Sequence, residues 1–396
     1  MDRRRFLTTL GALGCSAAAS PLVTPMAFAA GPWDNRLVVI ILRGAMDGID
    51  VVAPTGEAAL LSTLRPTLGQ AEHLQTGGFW AFHPALQPLT EMWQRGEFGA
   101  VQAVSTPYRD KRSHFDGQDI LEAGLPGLEE DRARDGWLNR MMQVVPGMTS
   151  ETAYAIGTDQ LLILDGAAEV ARWAPEARLR IGPQAERLID LVTHSDPLFR
   201  DATSDAVQIA QSVEEQGEMG MQPGAARGGH ARAASFAAER LLGETRIASF
   251  SLGGWDTHGR QGPAMARALG RLSDVILTLE AGLGPVWQKT AVLCLTEFGR
   301  TVAENGTRGT DHGTGGAMLY AGGALKGGQV LGDWPGLDQL YAGRDLLPTR
   351  DLRAHAGWTI RSLFGVEAGL IERSVFPGLE LGPPSGLLLL RRGARG

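Results

Sequence analysis

Four short segments of this 396-residue chain carry side chains suited to holding a cation or an anion. They are Arg43-Gly44-Ala45-Met46-Asp47-Gly48, Arg112-Ser113-His114-Phe115-Asp116, Gly254-Trp255-Asp256-Thr257-His258 and Thr296-Glu297-Phe298-Gly299-Arg300. A glycine-lined loop, Gly309-Thr310-Asp311-His312-Gly313, adds a further imidazole. Carboxylates and imidazoles suit zinc, manganese, magnesium or calcium, and the carboxylate share favours the harder ions. The expected metal ligands are Asp47, Asp256, His258, Glu297 and His312, with the number of ions left open. Each segment also has a plainer reading. Asp47 fits a turn before Gly48, Asp256 and His258 fit a solvated loop pair, and Glu297 with Arg300 fits an ion pair. Ser113 is either the N-cap of a following helix or a nucleophile between Arg112 and His114, placed to meet an anionic ester.

The elements that must position these residues read as an alternation of strands and helices. Leu37–Leu42 is a continuous apolar run, which predicts a strand covered on both faces and hence a parallel sheet. Further strands are expected at 99–104, 154–156, 246–252 and 291–295. Helices are expected at 83–95, 113–123, 183–192, 234–242 and 263–283. This alternation predicts a three-layer α/β/α sandwich with a mostly parallel central sheet. In such sheets ligands bind beyond the carboxyl ends of the strands, where the four segments fall. The 53 glycines are close to twice the ordinary share of roughly 7%, and many of them flank these strand ends.

Composition excludes several classes. Hydrophobic residues at 43% and charged residues at 20% describe a globular chain. The 44 acids against 37 bases leave a net charge of −7, with no basic surplus for nucleic acid. Two cysteines, Cys15 and Cys294, build neither a disulfide scaffold nor a thiolate metal cluster. Any metal must therefore be held by oxygen and imidazole. No apolar run is long enough to span a membrane.

The N-terminus reads as an address. Arg3-Arg4-Arg5-Phe6-Leu7, a short apolar stretch and Ala27-Phe28-Ala29 follow the order of a twin-arginine signal peptide covering residues 1–29. Residues 30–396 are then a single domain with a flexible loop or insertion near 212–233. The expected location is periplasmic or secreted, with the twin-arginine translocase as a partner during export. Lipid attachment at Cys15 is the less favoured alternative. His83 and His355 read as cap or packing residues, Trp137 as core and Cys294 as inert packing. Arg43, Arg112 and Arg300 fit either anion binding or surface pairing.

The segments LRGAMDGID, FHPAL, RSHFDGQD, DGWLNR, GGWDTH, TEFGRT and GTDHGTGG together resemble the twin-arginine-exported domain-of-unknown-function family 1501. That family is placed in the alkaline phosphatase-like superfamily. The resemblance implies an alkaline phosphatase-like sandwich with a two-metal site on the strand ends. It also implies hydrolysis of phosphate or sulfate esters, in small-molecule or glycan substrates. By position, Asp47 would be the first-strand ligand and Ser113 would lie in the region of the nucleophile. Asp256 with His258 would match an Asp–His pair, and His312 the last histidine. Glu297-Phe298 stands where the superfamily has Asp-His, which removes a nitrogen ligand and implies a more oxygen-rich site. These losses leave open a catalytically silent envelope protein that binds a glycan or a protein partner.

Overall fold

The computed structural model describes residues 34–387 apart from 71, 110, 128–134, 146–147, 149–152, 157–160 and 174–228. The expected signal peptide, Cys15, the helix at 183–192 and most of the 212–233 loop lie outside the described residues. Every described residue belongs to one compact unit, formed by 29–175 with 227–396.

The apolar run after Asn35 forms β1 (Arg36–Arg43), buried along nearly its whole length. The main sheet adds β2 (Phe98–Ser105), β3 (Ala153–Ile156), β4 (Ala171–Trp173), β5 (Ile247–Gly253), β6 (Thr290–Leu295) and β7 (Gly316–Ala321). Two-residue strands β8 (Val330–Leu331) and β9 (Arg350–Asp351) both pair with β2. The order across the sheet is β8-β2-β7-β6-β1-β5-β3-β4. β1 lies parallel between β5 and β6, with Ile40 opposite Phe250 and Cys294. Among the described strands of this sheet, only β7 runs antiparallel to its neighbours, β6 and β2. An apolar run carries no information about strand direction, so this reversal was not readable beforehand. It matters for the site, because the start of β7, and not its end, lies on the edge where β1, β5 and β6 finish.

Alternation along β1 divides the core into two layers. The helices that bear on the site and its core include α1 (Gly48–Val51), α2 (His114–Ala123), α3 (Trp137–Val144), α4 (Gly229–Leu242), α5 (Gln261–Leu283) and α6 (Leu352–Phe364). Val38, Ile40 and Leu42 pack with Ala237 and Leu241 of α4 and with Leu269, Leu272 and Ile276 of α5. Leu37, Val39 and Ile41 pack with Leu138 and Met141 of α3 and with Ile360 of α6. The fold is therefore an α/β/α sandwich, as expected. Burying each such side chain contributes about 1.5–3 kcal/mol before chain entropy is set against it.

Two elements differ from expectation for local reasons. The helix expected at 83–95 divides into a 3₁₀ segment, Pro84–Leu89, and a short α-helix, Thr90–Gln94. Pro88 lacks an N–H and cannot continue an α-helical ladder. The helix expected from 234 begins at Gly229, inside the predicted loop, because Ala231 and Ala233 are also buried. Trp137 is core, and His355 is buried with its Nδ1 2.9 Å from Ser385 Oγ. Cys294 is a buried free thiol whose pKa is pushed up by burial alone. Among the described residues, no helix is long and apolar enough to cross a membrane.

Candidate metal centre

Five segments deliver groups to one edge of the sheet: the loops after β1, β5 and β6, the start of α2 beyond β2, and the loop that leads into β7. Two glycines let these loops meet. Gly44 has φ +121°, and a Cβ there would lie 2.5 Å from the backbone nitrogen of Asp256. A Cβ on Gly309 would lie 2.4 Å from the carbonyl oxygen of His258. Neither position admits a side chain while the loops remain where they are.

At this edge His114, Asp256 and His312 offer ligand atoms that all lie within 4.8 Å of one another. His312 Nε2 is 3.3 Å from Asp256 Oδ1, and His114 Nε2 is 3.5 Å from Asp256 Oδ2. His258 joins from one side, its Nε2 3.1 Å from Asp256 Oδ1 and 2.9 Å from His312 Nε2. Asp256 and His258 are about half exposed, so the cluster opens to solvent there.

The opposite ring nitrogens fix the tautomers. His114 Nδ1 is 2.8 Å from Glu297 Oε1, and His258 Nδ1 is 3.0 Å from Asp311 Oδ1. His312 Nδ1 is 2.9 Å from the backbone carbonyl of Arg112. A carbonyl and an ionised carboxylate only accept, so each Nδ1 carries the proton and donates it. In the neutral rings every Nε2 is then a bare lone pair pointing into the cluster. Two such lone pairs 2.9 Å apart repel unless a cation, either a proton or a metal ion, relieves them. His114 Nε2 is moreover buried without a hydrogen-bond partner. Histidines tied back through one nitrogen to a carboxylate or carbonyl, with the other nitrogen free, form the usual arrangement around bound metals.

The charges are arranged to match. Burial works against the Asp256 carboxylate, but the Arg300 guanidinium, 2.6 Å away, holds its pKa below the usual range. The hydrogen bond to Glu297 holds His114 above the ordinary histidine value, in spite of burial. Burial takes His312 the other way, toward the neutral form that binds metal. Arg300 itself is buried and also donates to the carbonyls of Gly44, Ala45, Trp255 and Thr310, tying the site loops together.

The remaining expected residues fall elsewhere. Glu297 is fully buried and acts as an acceptor for His114, Gln118 Nε2, the Gly44 N–H and Thr296 Oγ1. Asp47 does not reach the cluster. Its oxygens accept from Arg65 at 2.7 and 3.1 Å, from Gln261 Nε2 at 2.7 Å and from Thr310 Oγ1 at 3.2 Å, and they also cap α1. Both Asp47 and Arg65 are 1% exposed, so a guanidinium occupies the place where a cation on Asp47 was expected. Ser113 is the N-cap of α2, accepting from Asp116 N at 3.4 Å. Arg112 has φ +54°, which turns its carbonyl to His312. Its own guanidinium lies 3.9 Å from Asp345.

The donor set is richer in nitrogen than the residue pattern implied. His114 stacks on the ring of Phe298, with centroids 5.2 Å apart, and supplies an imidazole beside the position where Phe298 removed one. Asp311, Gln118 and Arg65 were not singled out from the sequence. Asp311 stood next to His312 in a loop already marked, and a carboxylate adjoining a candidate ligand was the available signal. Arg65 had none, since only the fold brings it against Asp47.

The family model described as "Protein of unknown function (DUF1501)" matches residues 87–357. No curated protein matches the chain. Similar solved structures include the C-terminal periplasmic domain of EcEptC from Escherichia coli, at 10% identity and TM-score 0.39, covering 91% of each chain. A protein in the alkaline phosphatase superfamily from Vibrio parahaemolyticus is 11% identical at TM-score 0.34, covering 84% of this chain and 71% of its own. The alkaline phosphatase of the Antarctic bacterium TAB5 is 11% identical at TM-score 0.35, covering 73% and 92%. Likenesses this distant transfer no residue role. The matched residues span most of the chain and include the whole histidine cluster, and the chain belongs to the DUF1501 family.

Proposed function

We propose that His114, Asp256, His258 and His312 hold one divalent metal ion, zinc ahead of manganese, magnesium or calcium, and that the protein is an exported hydrolase of phosphate or sulfate esters. The observation that carries this reading is that ligand atoms of His114, Asp256 and His312 lie within 4.8 Å of one another, with His258 Nε2 3.1 Å from Asp256 Oδ1 and each ring held through Nδ1 by an acceptor. Three imidazoles and a carboxylate suit a borderline ion better than a hard one. A bound ion would polarise the ester oxygen as a Lewis acid. The chain's own groups do the rest. Glu297, Asp311 and the Arg112 carbonyl keep the imidazoles aimed, and Arg300 keeps Asp256 ionised. The open side at Asp256 and His258 admits a small-molecule or glycan ester. The attacking group is the Ser113 hydroxyl or a water. Export through the twin-arginine translocase to the periplasm or beyond rests on the sequence of residues 1–29.

A second reading, a silent envelope protein that binds a glycan or a protein, is favoured by one contact: Ser113 Oγ is already used as a helix cap. Metal analysis of the purified protein, followed by a panel of phosphate and sulfate esters, separates the two. The hydrolase reading expects about one metal per chain and turnover that vanishes in Asp256→Ala and His312→Ala. Metal-free protein that is inactive across the panel would leave the binding reading.

A further inference from the structure

Arg260 and Arg308 are exposed, and neither guanidinium has a hydrogen-bond or ion-pair partner among the described residues. Two unpaired arginines on the walls of one cavity are available to an anion from outside. Both line a cavity of about 640 Å³ with Gly259, Gly306 and Thr307. Both also line a second cavity of about 440 Å³, whose walls include Thr67, His83 and Pro263. These volumes lie in the range of small-ligand sites.

The backbones of the two arginines are tied to the loops that carry the histidine cluster. Arg260 N donates to Thr307 O at 3.0 Å, Gln261 N to Arg308 O at 2.9 Å, and Thr310 N to Thr257 O at 3.3 Å. These bonds join the segment holding His258 to the segment leading to His312. The 23-residue α5 starts at this junction without a side-chain cap, and its dipole adds partial positive charge there. The carboxylate that lines the smaller cavity, Asp50, is 5% exposed and turned inward to Gln261 Nε2 at 2.8 Å. Glu304 is likewise engaged, by the N–H groups of Thr67 and Leu68. A guanidinium fork binds sulfate, phosphate or carboxylate oxygens in pairs.

We infer that Arg260 and Arg308 form an anion subsite beside the metal cluster, and that the substrate is a polyanionic glycan carrying a further sulfate, phosphate or carboxylate next to the ester. The subsite stands on its own, whereas the substrate class rests on the ester-hydrolase reading. Calorimetric titration with sucrose octasulfate tests the subsite, with sucrose as the neutral control. The variant is Arg260→Asn with Arg308→Asn, because asparagine tolerates the left-handed backbone of both positions, φ +47° and +59°. The wild-type protein should bind the octasulfate before and after EDTA treatment, and so should His312→Ala. The double variant, with an unchanged melting temperature, should bind more than tenfold more weakly. Wild-type affinity in the double variant would overturn the subsite. So would loss of binding on EDTA treatment with the arginines intact, which would place the anion on the metal. Arginine-dependent binding by a protein inactive on every ester keeps the subsite and removes the hydrolase reading.

Discussion

An imidazole can hold a metal only as well as the group behind it allows, and each ring of the cluster has a different one. Asp311 stands behind His258, so Asp311→Asn should lower metal affinity about 10–100-fold while leaving the fold intact, as measured by chelator competition. Unchanged affinity would remove Asp311 from the site. Asp47 makes the opposite case. Its carboxylate and Arg65 satisfy each other in the interior, so Asp47→Ala strands a buried guanidinium at a cost of roughly 3–5 kcal/mol. The melting temperature should fall sharply while metal content stays near one per chain. Lost metal with an unchanged melting temperature would return Asp47 to the ligand list. The residue types at this edge were legible, since Asp256, His258, His312 and His114 all stood out by chemistry and spacing. Their division of labour was not. Nothing in one dimension tells a carboxylate that sits among imidazole Nε2 atoms, like Asp256, from one that holds an imidazole by its Nδ1, like Glu297.

Elements position these groups, and α2 does so with a single stripe. His114, Gln118 and Glu122 are spaced four apart and share one face. His114 and Gln118 both reach Glu297, while Arg43 at the end of β1 is held between Gln118 and Glu122. The start of this helix depends on Ser113. Ser113→Ala should destabilise the protein by about 1 kcal/mol, and Ser113→Asp should restore the cap. If Ser113 is only a cap, Ser113→Asp keeps full turnover of an ester; if it is the attacking group, stability returns and turnover does not. Strands with continuous apolar runs and helices with clean periodicity were readable from sequence, as β1 and α5 show. The 3₁₀ segment at Pro84–Leu89 and the reversed β7 were not. One depends on where a proline falls within a turn, the other on which neighbours the strand finds.

At the scale of the molecule, buried ionisable groups set how the fold responds to acid. Burial, aided by His73, lowers the pKa of His83 to about 4, and burial lowers that of His355 to about 3. Both folded values lie below the unfolded value of about 6.5, so the unfolded chain binds more protons as pH falls, and stability is lost. The loss should begin near pH 6.5 and run to about pH 4 for His83 and pH 3 for His355, at about 1 kcal/mol per pH unit for each. Asp50 opposes it between about pH 6 and 4, because burial and Asp47 raise its pKa to about 6 and the folded state there takes up the proton. Denaturation midpoints should therefore fall on acidification below pH 6.5. His355→Gln, which cannot take up the proton, should flatten that fall. Removing metal with EDTA should lower the melting temperature at neutral pH, since an ion bound only by the folded state stabilises it by mass action.

Residue order alone implies the layered α/β/α class, the edge of the sheet where the chemistry gathers and the oxygen-and-imidazole character of any metal site. Those properties follow from local periodicity, from composition and from the rule that ligands sit at strand ends. Which groups meet is a matter of the folded chain. It paired Asp47 with Arg65, brought His114 into the cluster through Glu297 and let the reversed β7 carry His312 to the same edge. Such pairings depend on loops approaching within hydrogen-bonding distance across up to 263 residues of chain, as between Asp47 and Thr310, and no local pattern encodes that approach.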